Sequence, residues 1–481
     1  MSEKKTNEEK LKEEVPTSSK LAFGGISFTT NIFSGLVIAT SFTYFYNVKL
    51  GLDEFWTGLA WLIFIAWNMI NDPLIGFIED RTKSEKYGRR VPYIRFGAPI
   101  FSGLFILSWF PIFAWSELAL FFNLLFMLYT FDTLFTIIGL ISFSLPAEMA
   151  ITSEARSRLM IFGAVGSSLS FLLSFVLPAM LLTGDKPLEL DPMIPVFRIV
   201  MIILGIIGGI ILFISSYYIK ENKYAMMEEP LSYKDSLIET LKNKPFLIRI
   251  GSGFSFNIGQ FILTNGVLYY VDYILDLSGI MSMIPLLLFF IMVFLFFPLY
   301  SKFVRIYGLK NTFIFCLLFT SAAFIIGFFI GWEFYPALIA FIIMGAGISG
   351  VFFITQLLTA DIIDYDEILT GKRRETSYAG MGALLTKPTN SIAPWLFLTV
   401  INAFGFNNDV QNQTTMAKFG IMLGFTLIPA ILILISALIM YFFPLSGSKW
   451  KKQKKELHKI HQEKQQKYLN YLKEKGKGIN I

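Results

Sequence analysis

"MIILGIIGGIILFISSYY", Met201 to Tyr218, holds no charge across eighteen residues. A helix rises about 1.5 Å per residue, and roughly 20 apolar residues are needed to cross a hydrocarbon core of about 30 Å. Similar blocks occupy 21–46, 54–78, 92–114, 117–146, 158–183, 194–219, 246–275, 282–304, 311–331, 335–360, 376–405 and 417–443. Water offers such surface no cover. With 54% hydrophobic and only 16% charged residues, the chain is predicted to be an all-α, multi-pass membrane protein with about 12 transmembrane helices.

The loops between the blocks alternate in charge. Arg81, Lys83, Lys86, Arg89 and Arg90 follow the second block, Arg156 and Arg158 the fourth, and Lys372, Arg373 and Arg374 the tenth, whereas the intervening loops hold little beyond Lys49, Lys186 and Lys418. Positive charge stays on the cytoplasmic side, so both termini are expected there. The chain then divides into a cytoplasmic tail (1–20), a first six-helix bundle (21–219), a central loop (220–245), a second bundle (246–443) and a basic tail (444–481). The first tail lacks the apolar core of a cleaved signal peptide. The last is a solvated basic segment able to lie against anionic lipid. His458 and His461, the only histidines, lie there without a third acid or thiol ligand, so no metal site is expected. Cys316 stands alone within an apolar block and reads as a packing residue.

One unit occurs twice. "DPLIGFIEDRTKSEKYGRR" (72–90) has a worn counterpart in "FPLYSKFVRIYGLKN" (297–311), and Ala147-Glu148 followed by Arg156 and Arg158 is answered by Ala360-Asp361 followed by Arg373 and Arg374. Two similar bundles in the same orientation can rock about a shared site.

Asp72 stands out because an ionisable group at membrane depth costs at least several kcal/mol unless it faces protein, water or an ion. Asn68 lies one turn earlier on the same helix face. Pro73 has no N–H for the carbonyl of Met69, which frees an oxygen nearby. The competing reading is a structural pair, with Lys387 or an arginine as partner.

"NDPLIGFIEDRT" with Gly88-Arg89-Arg90, "ADIIDYDEILTGKRRE" (360–375) and Lys387 resemble the glycoside-pentoside-hexuronide:cation symporters, the melibiose-carrier branch of the major facilitator superfamily. The resemblance implies two six-helix bundles around a central cavity and the movement of sugars with sodium or a proton; lysophospholipid carriers belong to the wider group. It makes Asp72, Asn68 and Lys387 the coupling set. It also implies that two of the family's three cation-site acids are replaced, by Asn68 and Gly139, and that the family's helix-one aspartate and helix-five arginine are replaced by Asn31 and Gly166. A poorer cage favours the proton over sodium as coupling ion. Polar residues at cavity depth are Thr29, Thr30, Asn31, Asn257, Gln260, Asn265, Gln356 and Asn390, with Thr30, Asn31, Asn257, Gln260, Gln356 and Asn390 as the expected solute contacts. By the same resemblance Asp361 and Asp364 pair with Arg373 and Arg305 in a cytoplasmic gate, to which Asp80 and Arg81 contribute.

No H-E-x-x-H, G-x-S-x-G or P-loop sequence is present, so neither an enzyme nor an ATP-driven pump is expected. The expected function is secondary active transport of a small organic solute, a sugar or glycoside by resemblance, with H+ or Na+ in place of any cofactor. The alternatives are an amphiphile carrier of lysophospholipid type, an uncoupled facilitator, and a non-transporting receptor on the same fold. The expected partners are solute and membrane lipid, not nucleic acid, and the chain is expected to act as a monomer in the cell membrane.

Overall fold

The computed structural model describes residues 15–81, 90–150, 153–184, 193–219, 240–371, 374–408, 410, 412–448, 450 and 452–457; the side chains of Phe77, Asp80, Arg81, Ala147, Ser153, Met193, Glu375, Thr376 and Ala379 fall outside that description. The helices are α1 (Thr17–Ser34), α2 (Glu54–Arg81), α3 (Val91–Leu107), α4 (Glu117–Met149), α5 (Ser153–Leu182), α6 (Met193–Tyr218), α7 (Lys244–Tyr273), α8 (Ile280–Tyr307), α9 (Leu309–Ile330), α10 (Phe334–Thr370), α11 (Glu375–Thr386), α12 (Thr389–Ala403), α13 (Thr415–Met422) and α14 (Ile428–Tyr441). Ten helical stretches among the described residues are long and apolar enough to cross a membrane, with Val91–Leu107 a shorter apolar helix.

Three helices start on side-chain caps: Ser116 accepts from Ala119 N–H, Asn243 from Phe246 N–H and Thr414 from Ala417 N–H. Such caps satisfy N–H groups that the first turn leaves without partners. Three spans are interrupted, the twelfth by a π turn at Leu423–Leu427 between α13 and α14. Helix α1 continues through π turns at Gly35–Thr40 and Phe45–Lys49. The eleventh span breaks at Lys387-Pro388 into α11 and α12, since proline cannot donate to the helix ladder.

Packing sorts the helices into two sets. In the first, α1 packs on α5 and α6, α2 on α4, and α3 on α4 and α6; in the second, α7 packs on α12 and α14, α8 on α10, and α9 on α10 and α14. The second set therefore repeats the pairings of the first with each partner moved on by one half of the chain. Between the sets, α2 meets α12 and α5 meets α8. Below, the near side is the one at which α1 starts and α14 ends, and the far side is its opposite.

Candidate functional site

On the far side the two halves are bonded. The Tyr44 hydroxyl donates to Asp272 Oδ2, and Gly184 N–H donates to Asp272 Oδ1 at 3.0 Å. Thr43 Oγ1 donates to Asn265 Oδ1 at 2.8 Å, and Tyr269 Oη donates to Asn47 Oδ1 at 2.8 Å. Asn47 spends its amide on Leu52 O and Glu54 Oε1, at 2.8 and 3.1 Å. Aromatic rings fill the gaps between these bonds: Tyr44 lies edge-on to Tyr269, which packs in turn on Phe397 and Phe406. Asn265, expected among the cavity residues, is buried in this seal.

Toward the near side the halves meet again at Asp72 and Lys387. Asp72 sits mid-way along the polar end of α2 and Lys387 at the break between α11 and α12, where the broken helix aims a lysine across the interface. Lys387 Nζ pairs with Asp72 Oδ1, which also accepts from Thr136 Oγ1 at 3.0 Å; Nζ lies 3.3 Å from the same hydroxyl. Side-chain exposures of 12% for Asp72 and 15% for Lys387 leave a path to water.

A second carboxylate joins this network. Asn71 Nδ2 donates to Asp132 Oδ2 at 2.8 Å, to Asp132 O at 3.1 Å and to Thr136 Oγ1 at 2.9 Å. Asp132 and Thr136, four residues apart on α4, share one face of that helix and reach α2 together. Asp132, two turns before Gly139 on the fourth span, thus places a second carboxylate beside Asp72. Nothing hid Asp132 in the sequence: it is an ionisable residue inside the 117–146 block, the same signal that marked Asp72. Asn68 is 1% exposed, and neither of its side-chain polar atoms has a partner; Asn71 Oδ1 is likewise free. Buried amides are ordinarily bonded, so these oxygens and the Asn68 N–H groups are poised for a ligand or water beside the two carboxylates.

The expected solute contacts divide. Asn31 and Gln356 are exposed although they lie mid-helix, while Asn257, Gln260 and Asn390 are half-buried. Asn31 Nδ2 donates to Ser27 O at 2.7 Å and Ser167 Oγ at 3.2 Å. Thr30 is buried, its hydroxyl without a partner. Gly166 does not line a cavity: a Cβ there would stand 2.4 Å from Gly24 O. It is a crossing point of α1 and α5, and no longer side chain fits.

The gate residues depart from expectation. Asp361 accepts from Trp450 Nε1 at 2.9 Å and pairs with Lys454, so the C-terminal segment occupies it, while Arg305 is exposed without an ion pair among the described residues. The acid that carries an arginine fork is Asp366, bound by Arg374 Nε at 2.8 Å and Nη2 at 2.5 Å. Asp364 is half-buried. Arg373 and the Asp80 and Arg81 side chains lie outside the described residues. Sequence reasoning also missed the buried Arg90, which bridges Glu79 at 2.7 Å and Glu148 at 3.2 Å and ties α2 to α4.

Helical spans in two repeated sets, joined around a polar cluster with one face sealed, define the architecture of a major facilitator-type transporter. The chain belongs to the family described as MFS/sugar transport protein, whose profile matches residues 22–447. It is 24% identical to the glucuronide carrier protein homolog of Escherichia coli over 85% of this chain and 88% of that one. It is 25% identical to the uncharacterized symporter YnaJ of Bacillus subtilis over 90% and 92%. In fold it is similar to the inward open xylose transporter XylE of E. coli, at a TM-score of 0.59 and 15% identity over 92% of this chain and 98% of that one. The chain is a multi-pass membrane protein and a secondary transporter, not an enzyme.

Proposed function

We propose that this chain carries a small organic solute of the sugar or glycoside class by alternating access, with the near side cytoplasmic, and that Asp72, Asp132 and Lys387 couple the carriage to one positive charge. The observation that carries the reading is the composition of the network. Two carboxylates and one ammonium leave a single net negative charge in a partly dry site, which one proton or one monovalent cation neutralises. When that charge arrives, Asp72 loses its hold on Lys387, and the joint between α2 and the α11–α12 break is released. The proton is the preferred ion, because it needs no shell of several oxygens and Lys387 already holds the Asp72 oxygen that sodium would take. The relatives' names, a glucuronide carrier homolog and a xylose transporter, support the solute class.

Proteoliposomes test this reading. Counterflow of labelled xylose and labelled methyl glucuronide is measured first, then uptake under imposed pH, sodium and potassium gradients. Accumulation of at least one sugar that follows the pH gradient and ignores sodium-for-potassium exchange is the expected result. Sodium stimulation would transfer the coupling role to sodium, and counterflow of neither sugar would remove the carrier reading for this solute class.

A further inference from the structure

Arg249 on α7 is a cation that no acid among the described residues balances. Among the described residues it makes no hydrogen bond or ion pair, and its Nε is buried without a partner. A long basic side chain near the end of a spanning helix ordinarily snorkels toward the nearer headgroups. Arg249, the sixth residue of α7, does the opposite. Its Nη1 lies 2.4 Å from where a Cβ on Gly253 would stand, so the guanidinium runs up the helix, away from the near-side end, and fits only because residue 253 is glycine. At 1.5 Å per residue that places the charge about 6 Å deeper than its own Cα, roughly one turn below Asn257.

The face it occupies points to the interior. Ser252 and Ser255 bond to Ser436 and to Leu432 O on α14, and Gly259 abuts Pro429, which fixes the α14-facing side of α7. At about 100° per residue, Arg249, Gly253, Asn257 and Gln260 fall within about 80° of one another and to one side of that contact. Asn257 and Gln260 are the half-buried polar residues of the same face. A guanidinium turned inward, accommodated by a glycine and followed by two amides, is a built receptor for an oxyanion, since the guanidinium fork matches two oxygens of a carboxylate or phosphate.

We infer that Arg249, seated over Gly253, binds the anionic group of the transported solute, with Gln260 and Asn257 holding its neutral hydroxyls. This inference rests on the carrier reading and deepens it, because the bundle's acidic network is then spent on the coupling charge and the solute's charge is met on the other half. Carboxylate and phosphate share the required chemistry.

The test uses the purified full chain in detergent and reads thermal unfolding midpoints, at constant ionic strength, against glucuronate, sn-glycerol 3-phosphate and glucose. At least one of the two anions is expected to raise the midpoint saturably where glucose does not, and the responding anion names the source. Arg249→Gln is expected to weaken that binding by about tenfold or more, the loss of a charge-assisted pair. Arg249→Lys keeps the charge without the fork and should fall between. Gly253→Ala, which evicts the guanidinium while leaving it in the chain, should weaken binding in the same direction and serves where Arg249→Gln does not fold. A wild-type chain indifferent to both anions, or variants that bind them undiminished, would overturn the inference. Counterflow separates this outcome from the parent reading: glucose or xylose counterflow that survives Arg249→Gln, with no anion binding, leaves the carrier and removes the anion site. Arg249-dependent anion binding with no counterflow of any probe does the reverse.

Discussion

The two halves of this protein touch at two polar joints built on opposite plans. At the far joint, Tyr44, Asn47, Asn265, Tyr269 and Asp272 share bonds within a packing of rings, and Asp272 receives both a hydroxyl and a backbone N–H. At the near joint, one lysine reaches one carboxylate across a partly wet gap, and next to it a buried asparagine has no partner for either end of its amide. A satisfied, dry network gains from the low dielectric around it, whereas an unfinished one holds its cost in reserve until something completes it. The first joint is made to stay shut in this state; the second is made to change when a charge arrives.

The strongest way to break that contrast is to remove the carboxylate charge from the near joint. Asp72→Asn keeps the shape of the side chain and is expected to abolish gradient-driven accumulation while leaving part of the exchange activity. Uptake in proteoliposomes with and without an imposed pH gradient measures both. A variant with unchanged pH and cation dependence would show Asp72 to be a latch with no part in coupling. Asp132→Asn sharpens the point: coupling should weaken without vanishing, because Asp72 and Lys387 remain, and a complete loss equal to that of Asp72→Asn would make the two carboxylates a single unit.

A smaller effect is expected at the far joint. Tyr44→Phe leaves the packing against Tyr269 but takes a hydroxyl from the Asp272 carboxylate, and hydrogen bonds to charged groups are worth about 1.5–3 kcal/mol. Gly184 N–H remains, so the joint should loosen without failing. Single cysteines placed near Gly184 should react faster with an impermeant maleimide added on the far side. Unchanged labelling would mean that ring packing alone closes this face.

How much of this was legible in the sequence depends on the range of the interaction. Spans are local facts of composition, and the apolar blocks matched the helices closely, apart from the break at Lys387-Pro388 and the π turns in the first and twelfth spans. Asp72 and Lys387 were legible because charge in an apolar block is rare and needs a cause. Asp132 satisfies the same criterion, as an ionisable residue within the fourth apolar block seven positions before Gly139. The reach of Asn71 to α4, and the choice of Trp450 and Lys454 by Asp361, depend on which helix faces meet in space. No single-chain periodicity states that. The seal around Asp272 was invisible for a related reason: it lies at the helix ends, where a charge is ordinary and draws no attention.

Asp361 offers the smallest and most discriminating test, because it belongs to neither joint. It is buried on α10, accepts from Trp450 Nε1 at 2.9 Å and pairs with the partly exposed Lys454, and Trp450 packs on Tyr365 of the same helix. Asp361 and Tyr365 lie in the second bundle and Trp450 and Lys454 in the segment that follows it, so these bonds tie that segment to one bundle and do not cross to the other. Trp450→Phe keeps most of the ring contact, removes one N–H from the carboxylate and leaves Lys454 in place. The expected cost is about 1 kcal/mol of stability, read as a small drop in the thermal midpoint, with unchanged far-side labelling and unchanged response to the pH gradient. If labelling shifts instead, the C-terminal segment bears on the balance between open and closed states through Asp361, and the near side has a second movable joint. If neither midpoint nor labelling moves, the segment is held by its apolar contacts at Leu445 and Leu457, and the Asp361 bonds merely compensate the burial of its charge.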